Sequence, residues 1–352
     1  MTAQDGPRPA LQPIRDRYVV VLEDDSFTSA ESAAAAVDRR PGTDVDLVYD
    51  TVFAGFAGEF TPAAAADLMT DPAVSGVYPD LLATTQAQTL EPGIDRVDAD
   101  YNPTKAGNGS GSVDVDVAVI DTGVGPHNDL NMVGGHDCLN SGSLRDNYGH
   151  GTHVAGIIGA KDNSFGVVGV APGARIWSVK VLDQYGNGSL SSVICGMEWV
   201  AERGDTIEVA NMSLGLIVQD VGSGCTSSLV HRAVCAMTSA GVTVMAAACN
   251  AGIDASTCSP GRYPEVISVS AFAEWDGKPG GKGGCRSTPD GFYGCDDRRA
   301  SFSNYGPTID IAAIGVGVYS TLFDNRYGYW SGTSMATPHV TGAAALLIAQ
   351  HG

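Results

Sequence analysis

Gly332-Thr333-Ser334-Met335-Ala336-Thr337-Pro338-His339 sets a serine at the mouth of an apolar helix read over 335–349. Pro338 is tolerable there because it falls near the first turn. Upstream, Asp121-Thr122-Gly123 closes a valine-rich strand, and His150-Gly151-Thr152-His153 opens a glycine-bearing helix. An acid, a base and a nucleophile thus follow one another as Asp, His, Ser, each in a glycine-marked turn beside a regular element. That order specifies attack of an activated serine on an acyl carbon.

Outward from these turns, strands are read at 113–120, 176–182, 207–212, 242–248 and 266–271, with helices at 150–160, 190–201 and 227–240. Apolar strands alternating with helices predict an α/β fold, a mainly parallel sheet covered on both faces. Function in such sheets gathers at the carboxyl ends of strands, where Asp121 and Asn250 fall. Residues 17–80 read differently. Strands at 17–22, 45–52, 54–60 and 74–78 and helices at 29–37 and 63–69 give βαββαβ, a small α+β ferredoxin-like unit. Residues 81–86 read as an exposed linker. The expected division is a disordered extension over 1–16, a small domain over 17–86 and a catalytic domain over 87–352.

Of 352 residues, 43% are apolar and 45 are glycine, which suits a large core joined by tight turns. No apolar run approaches membrane-spanning length, so a soluble protein without a membrane partner is expected. Net charge is −20, with 14 acids and 5 bases before position 87 and 26 and 15 after it. With no basic stripe, a nucleic-acid partner is not expected; solubility or salt tolerance explains the acidity better than attraction for Ca2+ or basic substrates. Eight cysteines without CxxC or zinc-like spacing favour disulfides and an oxidising compartment. Cys225–Cys235 and Cys285–Cys295 are the expected local pairs, although spacing alone leaves connectivity open.

Serine is a poor nucleophile at neutral pH and needs a neutral imidazole to take its proton. The imidazole in turn needs a carboxylate to fix its tautomer and stabilise its charged form. Ser334 is therefore assigned as nucleophile, His150 as general base and then acid, and Asp121 as orienting carboxylate. The helix mouth supplies unpaired N–H groups where negative charge develops, and Asn250, just past a buried strand, is a second oxyanion donor. Blander readings exist: Asp-Thr-Gly as a turn, Gly332-x-Ser334 as an N-cap, and His150 with His153 as metal ligands. No glutamate or third ligand supports the last. An esterase elbow is disfavoured, because its acid and histidine follow the serine.

The three stretches 119–124, 149–156 and 332–340 resemble the signatures of subtilisin-like serine proteases, the subtilase family. Asn211-Met212-Ser213-Leu214-Gly215 and Ser301-Phe302-Ser303-Asn304-Tyr305-Gly306 are similar to other segments of that family. The resemblance runs from about Ala87 to the end, and residues 17–86 resemble the family's inhibitory propeptide. It implies a secreted, monomeric endopeptidase acting on protein or peptide substrates and made as a self-processing zymogen, its own propeptide the intramolecular inhibitor. No secretory signal is read at the start of the chain. Substrate would add as a strand beside Ser213, Leu214 and Gly215, with Ala247, Ala248 and Cys249 as the second wall of the first pocket. The propeptide junction is implied near Gln86/Ala87. A structural Ca2+ is implied at the side chains of Gln88, Asp129 and Asn163 with carbonyls of Lys161, Phe165 and Val167. A second site would use Asp310 with carbonyls of Gly261, Tyr263 and Val266.

Three departures stand out. Cys249 occupies a position usually glycine in the family, directly before Asn250; its bulk is expected to narrow the first pocket or disturb Asn250, either paired with Cys258 or as a free buried thiol. The insertion over 274–299 reads as a stapled surface loop, and the chain stops at Gly352, where family members continue. A catalytically silent binding module of the same fold is the alternative, favoured by Cys249 and the short end and opposed by the intact Asp121, His150, Ser334 and Asn250.

Overall fold

The computed structural model describes residues 13–23, 29–51, 53–81, 88–101, 106–216, 224–226 and 228–351. The expected junction at 86/87 and the start of the extension lie outside the described residues. The described residues fall into two compact units, 13–81 and 88–351.

The first unit runs β1 (Pro13–Leu22), α1 (Ala30–Val37), β2 (Thr43–Tyr49), β3 (Gly55–Phe60), α2 (Pro62–Met69) and β4 (Val74–Leu81). Its sheet order is β2-β3-β1-β4 with all pairs antiparallel, the ferredoxin-like arrangement. Ser29 and Thr61 cap the two helices by accepting N–H bonds from Ser32 and Ala64. Val20, Phe56, Phe60 and Leu68 fill the core. β1 starts earlier than expected, at Pro13 opposite Leu81, so the extension read as disordered over 1–16 gives its last four residues to the sheet.

The second unit begins with α3 (Pro92–Arg96), β5 (Asp116–Asp121), β6 (Met132–Asp137), α4 (His150–Gly159), β7 (Arg175–Lys180) and α5 (Leu190–Ala201). It continues through β8 (Val209–Met212), α6 (Leu229–Ser239), β9 (Thr243–Ala247) and β10 (Ile267–Ala273). An insertion holds β11 (Cys285–Ser287), β12 (Tyr293–Cys295) and β13 (Arg298–Arg299). Then come β14 (Ile311–Ile314), the hairpin β15 (Val318–Leu322) and β16 (Arg326–Trp330), and α7 (Thr333–His351). The main sheet runs β13-β10-β9-β8-β5-β7-β6 with β14 also on β10; every pair but β10–β13 is parallel.

β5 explains the layering. Val117 and Val119 pack with Val154 and Ile158 of α4 and Met335 of α7, whereas Ala118 and Ile120 pack with Val193 and Met197 of α5 and Val234 of α6. Alternate side chains enter two different cores, so the strand reads as a continuous apolar run. The chain passes from β5 to β6 and β7 on one side and then to β8 and β9 on the other. The carboxyl end of β5, with Asp121, therefore opens at the point where the winding reverses. No helix among the described residues is long and apolar enough to cross a membrane.

All eight cysteines are paired: Cys138–Cys195, Cys225–Cys235, Cys249–Cys258 and Cys285–Cys295. The two local closures are as expected and Cys249 is not a free thiol. Cys138–Cys195 joins residues 57 apart and ties the end of β6 to α5.

Candidate active site

Asp121 ends β5 wholly buried, and His150 opens α4. The His150 Nδ1 lies 2.7 Å from Asp121 Oδ1 and 2.9 Å from Oδ2. An acceptor-only carboxylate at that distance makes Nδ1 the protonated nitrogen and leaves Nε2 free as a base. Gly151 is needed for the approach, because a Cβ there would collide with the Gly123 carbonyl. Burial disfavours a charge on His150, but Asp121, by charge and hydrogen bond, and Asp146, by charge, outweigh it. The imidazole's pKa is consequently raised above its ordinary value.

Ser334 lies in the first turn of α7, two positions further into the helix than the sequence implied, since the helix begins at Thr333 rather than Met335. Its hydroxyl donates to the Ser213 carbonyl at 3.1 Å, and its own carbonyl accepts from Ser213 Oγ at 2.8 Å. That carbonyl is free because the residue four positions on, Pro338, has no N–H to give it. Ser334 and His150 line one cleft of about 390 Å3. Among the described residues no hydrogen bond joins Ser334 Oγ to His150, and such bonds are commonly loose without substrate.

Asn250 Oδ1 accepts from both the Thr333 N–H (2.8 Å) and Thr333 Oγ1 (3.0 Å). A backbone N–H can only donate, so the amide orientation is fixed and Nδ2 is left to donate. The side chain is exposed, and Nδ2 is 3.6 Å from where a Cβ of Gly332 would stand, beside Ser334. The first turn of α7 adds N–H groups without intrahelical acceptors.

Of the expected substrate contacts, Ser213, Leu214 and Gly215 line the cleft. Ala247 and Ala248 do not: they are 2% and 0% exposed and belong to the sheet, Ala248 N–H reaching the Val269 carbonyl. Cys249 stands behind Gly215. The opposite wall, Gly186, Asn187 and Gly188 with Tyr148 and Leu182, was not anticipated. The insertion lines a second cavity of about 330 Å3 with Glu91, Tyr329 and His339 rather than this cleft.

Asp146 was also missed. Fully buried, it accepts from Thr122 Oγ1, Tyr148 N–H and Gly149 N–H on one oxygen and from Thr152 N–H and Oγ1 on the other. Thr122 Oγ1 in turn accepts the Gly151 N–H. Asp146 thereby holds the turn that carries His150 against the loop that follows Asp121. Trp330 packs its ring 5.5 Å from that of His150 and stacks on His153. His153 is drawn away from His150: its Nε2 meets the carbonyls of Val318 and Gly328, and burial pushes its pKa down to about 3. The two histidines thus serve different partners, which removes the metal-pair reading. Lys180, also buried, donates to the Thr122 and Leu182 carbonyls.

Of the residues expected around Ca2+, Gln88, Asp129, Lys161, Asn163 and Val167 come together. Gln88 Nε2 lies 2.8 Å from the Lys161 carbonyl and 3.3 Å from that of Val167. Asp129, wholly buried, accepts from Asn163 Nδ2 (2.6 Å), the Val167 N–H (3.2 Å) and the Tyr327 hydroxyl (3.1 Å). Two carbonyls, a carboxylate and the Gln88 amide, which can turn its oxygen inward, form an oxygen-rich set that fits a hard cation, whereas Asn163 Oδ1 accepts the Phe165 N–H at 2.8 Å. Asp310 accepts the Ser268 N–H at 2.8 Å. Among the described residues, that placement near Val266 is all that links it to the expected carbonyls of Gly261, Tyr263 and Val266.

Comparison with known proteins places these findings. The family described as "Subtilase family" matches residues 112–352, and "Peptidase inhibitor I9" matches residues 17–86. An alkaline protease of Alkalihalobacillus alcalophilus is 37% identical over 347 residues, covering 96% of this chain and 82% of its own. Subtilisin E of Bacillus subtilis (strain 168) is 37% identical over 341 residues, covering 95% and 81%. The crystal structure of a cold adapted subtilisin-like serine proteinase is similar with a TM-score of 0.56 at 35% identity, over 76% of this chain and 86% of that one.

Proposed function

The chain belongs to the subtilase family, a serine endopeptidase with an I9-type propeptide domain, and from that premise we propose that it cleaves peptide bonds through Asp121, His150 and Ser334. The observation that carries this reading is the Asp121–His150 pair at 2.7 Å, whose imidazole shares a cleft with the Ser334 hydroxyl. A substrate strand lies between the wall at 213–215 and the wall at 186–188. Its N–H takes the Ser213 carbonyl and displaces Ser334 Oγ towards His150 Nε2.

His150 Nε2 then accepts the Ser334 proton as Oγ bonds to the substrate carbonyl carbon. The carbonyl oxygen becomes an oxyanion, held by Asn250 Nδ2 and the N–H groups of the first turn of α7. When the C–N bond breaks, the imidazolium gives its proton to the leaving amine. Water repeats the sequence on the acyl-enzyme, giving its proton to His150, and Ser334 leaves with that proton. Asp121 keeps the imidazole in register throughout without itself taking the proton.

Ca2+, held by Gln88, Asp129, Asn163 and the carbonyls of Lys161, Phe165 and Val167, serves structure rather than reaction; a second ion at Asp310 is a weaker part of the same proposal. Residues 17–86 act as an inhibitory domain removed by self-cleavage near 86/87, leaving 87–352 as the catalytic domain. Four disulfides support export to an oxidising compartment, and the monomer is part of the same proposal. A serine-directed phosphonate tests the assignment: it labels the parent and spares Ser334→Ala, and only the parent cleaves peptides. Equal labelling of both refutes it, and a labelled parent without turnover favours the silent-module reading.

A further inference from the structure

Gly215 contributes no side chain to the cleft wall, and sulfur fills the space it leaves. A Cβ built on Gly215 would collide with Cys249 Sγ and lie 2.9 Å from Cys258 Sγ. Cys258 is buried and Cys249 only partly so. The disulfide is also continuous with the cleft on both sides. Ser259, next after Cys258, exchanges two backbone hydrogen bonds with Leu216, at 2.7 and 3.1 Å. Asn250, next after Cys249, carries the amide assigned to the oxyanion. Cys249 itself has φ +74°, a conformation that glycine adopts freely and other residues adopt at a cost. Its carbonyl is pinned by the Asn304 N–H at 3.0 Å. Bond, wall and the loop carrying Asn250 are thereby tied to one another.

We infer that the Cys249–Cys258 disulfide is the end wall of the pocket for the side chain preceding the scissile bond, and that it restricts this residue to alanine- or glycine-sized side chains. The inference rests on the cleft reading proposed above. A bound strand presents alternate side chains to each face, so the residue whose carbonyl meets Ser334 directs its side chain along the wall at 213–215. On the side of Gly215 where a Cβ would stand, the first atoms met are the two sulfurs. A side chain that outgrows a closed apolar pocket loses about 10–200-fold in specificity per methylene.

The test uses acyl-tetrapeptide amides that differ only in the last residue, alanine or phenylalanine. The parent is expected to prefer alanine in kcat/KM by at least about 100-fold. Cys249→Gly/Cys258→Ala, in which glycine suits the positive φ, is expected to raise the phenylalanine-to-alanine ratio at least about 10-fold. A parent that accepts both residues equally, or a double variant with an unchanged ratio, overturns the inference. Should the double variant not fold, peptide boronates ending in alanine or phenylalanine decide it on the parent alone, where equal inhibition is the refuting result. Phosphonate titration accompanies each preparation. Loss of Ser334-dependent labelling in the parent refutes the peptidase assignment itself, whereas normal labelling with the wrong ratio refutes only the disulfide wall.

Discussion

Asp146→Asn removes one charge and keeps the shape, so its effect is calculable from five hydrogen bonds. Whichever way the amide is set, its NH2 faces donors. With the oxygen kept towards Thr122, Tyr148 and Gly149, the Thr152 N–H is orphaned and Thr152 Oγ1 must turn to accept. An orphaned buried N–H costs about 1–3 kcal/mol, and each surviving bond that loses charge assistance weakens by about 1 kcal/mol. Removing a buried charge relieves part of this, which leaves a net loss of about 2–4 kcal/mol. For a domain of this size that is a fall in Tm of roughly 5–15 °C. Thermal unfolding should be followed by circular dichroism in a Ser334→Ala background, so that self-digestion does not contribute. Kinetics of Asp146→Asn on the active enzyme give the second readout. Because Asp146 helps hold the His150 pKa up, the acid limb of kcat/KM should move to lower pH. A Tm within about 1 °C of the parent with an unmoved acid limb would refute the idea that this carboxylate organises the turn bearing the catalytic base.

The raised pKa of His150 has its own consequence. The imidazole is a base only when neutral, so activity is absent well below its pKa and appears as pH rises through it. A pH–rate profile should place the acid limb above the ordinary histidine value of about 6.5, and Asp121→Asn should lower kcat by about 10⁴-fold; an acid limb below 6 in the parent contradicts the electrostatic account. Calcium removal should destabilise the catalytic domain. An ion present at about 1,000 times its Kd contributes roughly 4 kcal/mol, so a chelator should lower the parent's Tm while leaving that of Asn163→Ala almost unchanged, and calorimetry should record Ca2+ binding to the parent alone.

What could be read from the chain alone was whatever its local chemistry announces. The valine run of β5, the glycine turns around Asp121 and His150 and the apolar helix after Ser334 each carry their signal within a few residues. Asp146 carries none. It sits in Leu-Arg-Asp-Asn-Tyr-Gly, which reads as a polar loop, and its link to the Asp121 loop appears only when Thr122, 24 positions earlier, is seen to donate to it. Tyr327 likewise meets Asp129 across 198 positions. The hairpin β15–β16 was legible in principle: Asp324 and Asn325 both have positive φ, +62° and +58°, and an Asp-Asn pair between alternating aromatic segments is a recognisable hairpin signal.

Pro338 joins the legible part to the rest. By propensity, a proline six residues into a 19-residue helix is a fault worth about 3 kcal/mol. In the fold, the one hydrogen bond it deletes is the one that would have occupied the Ser334 carbonyl, and Ser213 Oγ takes that place at 2.8 Å while the Ser213 carbonyl receives Ser334 Oγ at 3.1 Å. A local rule is broken at the point where the helix bearing Ser334, the proposed nucleophile, is held to the cleft wall at Ser213. Such violations cluster at functional sites, because there the global structure supplies a partner that the local sequence lacks. The same reasoning covers Cys249, a non-glycine residue held at positive φ beside the Asn250 amide. In both places the residue least suited to its own backbone is the one tied most directly to the cleft.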